Sequence, residues 1–340
     1  MFLQNINFFS IKFVINLLIS IIPISYIAGN LVLNLNIVLI IITSFSFFGK
    51  EIIQLKLCTL DKIILAFFLY IFLNGFYNNY FNFNFADAPK NYILFKSLLY
   101  FRYLFFYLAI RYLVLEKIID FKIIFLSFGL VSFFVSIDLI IQFIFGKDLF
   151  GHVGSSRRLQ GPFGNEYIAG SFLQRFSFFS ISSLILFLNF KNKINFKLSI
   201  FFLISILSIS IILSGNRVPV LMFFIMLCLA FIFQKELRKI FLFFVSIIFI
   251  FMIYLASYSE NYKIHFEGFA NKSYQIVIYL KDKVNNNEIN FNKIAVHNLH
   301  IKEMETGIET SKLNMYFGGG LRSFYWNCSK INPKVLVKVN

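Results

Sequence analysis

Between two apolar stretches the chain reads GKDLFGHVGSSRRLQGPFGNEYIAG, Gly146 to Gly170, and further on it reads LSGNRVP, Leu213 to Pro219. Arg157, Arg158 and Arg217 are the residues in these stretches best suited to bind an anion. A guanidinium stays charged at any working pH, and its planar fork of donors matches the oxygens of a phosphate or pyrophosphate. Asn165 is placed to cap the helix expected from the apolar run that follows. The N–H groups behind it would then turn the positive end of a helix dipole toward the same anion. Two adjacent loop arginines also suit lipid headgroups, and Gly161, Pro162 and Gly164 also suit an ordinary turn before a helix. Arg217 is the sharper signal, being the one charge between Lys197 and Lys235. An arginine at bilayer depth costs roughly 2.5 to 3.5 kcal/mol and is kept for a pathway or a ligand.

What must position these residues is a membrane. The chain has 340 residues, of which 59% are hydrophobic, 14% charged and 50 are Phe, and its mean hydropathy is +0.76. That composition excludes an ordinary soluble domain and predicts an all-α polytopic membrane protein. A net charge of +16 would suggest nucleic acid in a soluble chain, but here much of it flanks apolar segments, so no nucleic-acid partner is expected. A bilayer core of about 30 Å needs roughly 20 apolar residues per helix. Windows near 12–29, 31–48, 62–77, 97–115, 121–145, 168–190, 197–214, 218–234 and 239–257 meet or approach this, giving about nine spans, the third and eighth short. The first has no small-residue cleavage site after it and reads as an anchor.

Lysines and arginines set the orientation. With the N-terminus in the cytoplasm, thirteen of them (Lys12, Lys50, Lys56, Lys62, Arg111, Lys117, Lys122, Lys191, Lys193, Lys197, Lys235, Arg238, Lys239) lie inside and six (Lys90, Lys96, Lys147, Arg157, Arg158, Arg217) outside, as the positive-inside rule asks. The predicted organisation is a transmembrane helical domain over 1–257, with an outer loop at 146–167, followed by a mainly helical, incomplete periplasmic segment over 258–340. That tail carries eleven Lys or Arg against seven Asp or Glu. Within it His297 to Asn314 could form an amphipathic helix with Leu299, Met304, Ile308 and Leu313 near one side. Gly318 to Gly320 then offer either an anion nest of N–H groups or a flexible turn. His297 and His300 are spaced like metal ligands, but with no cysteine pair or HExxH pattern nearby no metal is expected. Cys58, Cys228 and Cys328 fall in different compartments, which leaves no sensible disulfide. Asp138 and Gln142, one turn apart, line a polar cavity or bond neighbouring helices.

RRLQGPFGNEYIAG, then LSGNRVPVLMFFIMLCLAFIF, then a polar outer segment ending in FGGGLRSFYWNC, in that order and topology, resembles the O-antigen ligase and polymerase superfamily from about Gly146 onward. The resemblance implies a metal-independent, cofactor-free inverting glycosyltransferase of a bacterial inner membrane. Such an enzyme takes a glycan from undecaprenyl pyrophosphate and passes it to the lipid A core in a ligase or to another glycan in a polymerase; the long polar tail favours the ligase. It implies that Arg158 and Arg217 hold the pyrophosphate, with Arg157 as a companion. The family's histidine motif, resembling H-x-x-Y-L, has no counterpart in SKINPKVLVKVN after Cys328, so the chain resembles a truncated member. His297 and His300, which precede the glycine motif, read as surface residues of a helix or, as the alternative, as substitutes for that histidine, and the expectation is donor binding without turnover. The competing readings are a lipid-linked glycan flippase and an inactive remnant.

Overall fold

The computed structural model describes residues 8–81, 91–155, 158–187, 193–233 and 299–321, with single residues between 238 and 281 and at 323, 324 and 326. These residues are overwhelmingly helical, and no strand occurs among them. The helices are α1 (Phe8–Ser20), α2 (Ile22–Ile27), α3 (Asn30–Ile53), α4 (Thr59–Tyr80), α5 (Tyr92–Leu115), α6 (Phe121–Phe145), α7 (Ala169–Phe187), α8 (Lys193–Leu213), α9 (Arg217–Phe233) and α10 (Leu299–Lys312). Four of them, α3 to α6, are long and apolar enough to cross a membrane; α1, α8 and α9 hold shorter apolar runs. Every described residue between 238 and 281, where the last expected membrane helix lies, is helical.

Many large apolar side chains of the described helices are exposed, and buried polar groups share the interior with an apolar core. Leu31, Leu130 and Phe145 are 76%, 69% and 75% exposed, which places lipid, not water, around them. Two compact units are present: 1–43 with 113–269, and 44–112 with 270–340.

In the first unit α1 and α2 replace the single first helix expected from the sequence. Pro23 sits in the first turn of α2 and supplies no N–H, so the helical ladder breaks at Ile21. Asn36 of α3 answers the break, its amide donating to Leu18 O (3.0 Å) and Ser25 Oγ (3.1 Å). Asn16 of α1 ties down the entry to α6 by donating to Ile118 O (2.9 Å) and accepting from Asp120 N (2.7 Å). Asp120 in turn caps α6 through the N–H groups of Lys122 and Ile123.

Helices α6, α7 and α8 pack through small residues. Ser180 Oγ lies 3.2 Å from Gly129 O and 3.0 Å from Ser132 Oγ, and Ser210 Oγ donates to Ser136 O at 2.9 Å. A Cβ at Gly129 would come within 3.2 Å of Ser180 Cα, so glycine is what lets α7 approach. Around this seam Val135, Leu139, Phe172, Leu173, Ile204, Leu207 and Phe223 form the core.

In the second unit Asp61, fully buried, closes the start of α4. It accepts from Cys58 N (2.6 Å) and Tyr107 OH (2.6 Å) and pairs with Arg111, whose Nη2 reaches Lys56 O at 2.9 Å. Arg111 thus lies within α5 and is committed to a carboxylate.

The glycine segment is neither an anion nest nor a loose turn. Gly318 spends its N–H on Asn314 O (2.8 Å), while carbonyls face α4: Phe317 O accepts from Tyr70 OH (2.7 Å) and from Asn74, and Gly318 O from Asn78 (3.1 Å). Helix α10 forms where expected; Thr306 and Thr310 are buried and Ile308 is exposed, while the side chains of Leu299 and Met304 lie outside the described residues. Thr310 satisfies its hydroxyl on Thr306 O at 2.6 Å, which removes the main penalty for burying it.

Candidate functional site

The loop that follows α6 belongs to the first unit, and its folding starts in the helix beneath it. Gly146 ends α6 in the left-handed conformation and turns the chain back over the helix. Lys147 then bridges Val153 in a tight hairpin, closed by Asp148 N donating to His152 O and Gly151 N to Asp148 O, each at 3.1 Å.

Asp138 and Gln142, both buried, hold that hairpin from below. Asp138 Oδ1 accepts from Leu149 N at 2.8 Å. Gln142 is used at both ends of its amide: Nε2 donates to His152 O (3.0 Å) and Oε1 accepts from Gly161 N (2.9 Å). Neither of the two sequence readings of this pair describes that role, because its partners are loop backbone groups. Two turns with opposite demands, 147–153 and 161–164, are thereby fixed to one helix.

Between them, Gln160 Nε2 donates to Val153 O at 3.0 Å. Ser155 N and Oγ both reach Arg158 O at 3.0 Å, and Ser155 Oγ accepts from Arg158 N at 3.0 Å. The backbone at Arg158 is therefore held on both sides while its side chain is exposed. Gly161 adopts φ +55 with Leu139 pressed against it, a position only glycine fills without strain. Phe163 then packs on Tyr26 and Phe172, ring centroids 6.2 and 5.3 Å apart.

Asn165 does not cap a helix. It sits exposed in a turn, and α7 begins only at Ala169, because the three residues between them remain non-helical and Tyr167 O is taken by Asn216 Nδ2 at 2.9 Å. That bond joins the loop bearing Arg158 to the turn bearing Arg217. Gly170 makes the approach close, since a Cβ there would overlap the Ser214 side chain and lie 3.2 Å from Asn216 Cβ. Gly215, at φ +70, reverses the chain, and Arg217 opens α9 with its side chain half-buried. Arg157 and His297 lie outside the described residues, as does the side chain of His300, although its backbone belongs to α10.

The sequence reading missed one arrangement. Asp148, buried, accepts from His152 N (2.6 Å) and Phe150 N (3.0 Å) through Oδ1, and its Oδ2 lies 2.8 Å from His152 Nδ1. A carboxylate only accepts, so Nδ1 is the nitrogen that donates, and in the neutral ring Nε2 is the one with the lone pair. The His152 side chain is 38% exposed. The signal in the sequence is an acid and a histidine four residues apart across Gly151, which becomes a pair only once the hairpin forms. Among the described residues no three His, Cys, Asp or Glu side chains gather as a metal cage requires. No family model, curated protein or solved structure matches this chain.

Proposed function

We propose that the protein transfers a glycan from undecaprenyl pyrophosphate to an acceptor at the outer face of a bacterial inner membrane, in the manner of the O-antigen ligase and polymerase superfamily. In this reading the chain crosses the membrane about nine times from a cytoplasmic N-terminus and its residues 258–340 lie in the periplasm. The acceptor is the lipid A core.

The observation that carries the reading is the fixation of two arginine-bearing segments. The loop with Arg158 is bonded to Asp138 and Gln142, and the turn with Arg217 is bonded to Tyr167 at the end of that loop. Donors held in place before the ligand arrives stabilise a leaving pyrophosphate without reorganising. The flippase reading draws less support, because Asp61 and Arg111, ionisable residues within α4 and α5, are committed to each other.

A charge-assisted contact contributes about 1.5 to 3 kcal/mol, or roughly ten- to a hundredfold in affinity. Arg158→Ala and Arg217→Ala therefore weaken binding of undecaprenyl-pyrophosphate-linked glycan in detergent by that factor, while Lys193→Ala leaves it unchanged. Equal affinity in all three variants would remove the pyrophosphate role.

A further inference from the structure

We propose that His152, oriented by Asp148, is the general base of the outer face and takes the proton of the acceptor hydroxyl during transfer. The inference rests on the glycosyl-transfer reading and goes beyond it by naming a group that the resemblance does not supply.

Three features of the hairpin support it. The first is orientation: the imidazole is fixed at Nδ1 by a buried carboxylate that two backbone N–H groups also hold, through Phe150 and His152. A ring held this way presents Nε2 as the acceptor and has a negative partner ready for the imidazolium that forms. The second is access. The hairpin leaves the side chain partly exposed, and the atom nearest the place a side chain on Gly164 would take is His152 Nε2, at 3.9 Å. Gly164 has φ +63 and bears no such side chain, so none from that position covers Nε2. The third is location: Asp138 and Gln142 hold the hairpin through Leu149 N and His152 O, and Gln142 also holds Gly161 N, so His152 and Arg158 both lie between points anchored to one helix.

The step balances as follows. The acceptor oxygen forms a bond to the anomeric carbon from the side opposite the leaving group. The bond from that carbon to the pyrophosphate oxygen breaks, and its electron pair leaves on undecaprenyl pyrophosphate. The hydroxyl proton passes to Nε2 and is later released to water.

The test uses the full chain in proteoliposomes with radiolabelled undecaprenyl-pyrophosphate-linked glycan and lipid A core as acceptor, read as release of undecaprenyl pyrophosphate. A positioned general base contributes about 100- to 10,000-fold in rate. His152→Gln, which retains an amide able to reach Asp148, and His152→Ala lower kcat by that factor with donor affinity unchanged. Free imidazole restores His152→Ala, which a purely structural role would not allow. Asp148→Asn lowers kcat at unchanged donor KM, since Asp148 is a positioning residue and touches no substrate. Turnover that survives both His152 substitutions overturns the inference and leaves the glycosyl-transfer reading standing. Donor binding by the wild type without release also overturns it, and neither binding nor release overturns the proposed function with it.

Discussion

Gln142 shows how much a single amide carries in this loop. Its two ends satisfy His152 O and Gly161 N, backbone groups nine residues apart in the chain. Gln142→Ala removes both partners at once, and a buried polar group left unpaired costs roughly 1 to 3 kcal/mol. The expected result is a lower midpoint of thermal unfolding in detergent and faster tryptic cleavage after Arg157 or Arg158, because local opening exposes the loop. Unchanged cleavage would show that the loop is held by other means. At this scale the sequence was only partly legible. The arginines stood out because charge at a membrane mouth is rare, but Asp148 and His152 did not, since their pairing needs a reversal at Gly151 that places positions 148 and 152 side by side. Asn165 misled for a related reason: cap chemistry was present, but its neighbours follow a bond to Asn216 and not a helix.

At the scale of elements, the apolar runs were enough to locate the helices from α3 to α9, because in lipid only a helix satisfies every backbone group of such a run. They did not reveal the break before Pro23, which costs no apolar residue and so leaves the window intact. On α10 they did not point to Thr306 and Thr310, which are buried while Ile308 is exposed; the Thr310 hydroxyl is satisfied within its own helix, which lowers the cost of burying it. The α6–α7 seam makes a direct prediction. A larger side chain at Gly129 meets Ser180 backbone and the Ser183 hydroxyl, and overpacking of this kind costs about 1 to 3 kcal/mol. Gly129→Val therefore lowers thermal stability in detergent, whereas Gly307→Ala, on a helix with nothing near that position, does not.

For the whole molecule, the exposed apolar helix faces and the excess of Lys and Arg on one set of loops are both what a bilayer asks. In the proposed reading they put the Gly146–Gly170 loop and the Leu213–Pro219 turn on the outer face, with the donor site. The most direct measurement of that claim is photo-crosslinking of a diazirine-bearing undecaprenyl-pyrophosphate-linked glycan to the protein in intact spheroplasts, followed by mapping of the labelled peptides. Labels within 146–170 and 213–219, lost on competition with unlabelled donor, are the result predicted here. Labels confined to 50–62, 111–122 or 191–197, or labelling that unlabelled donor does not reduce, would contradict an outward-facing pyrophosphate site.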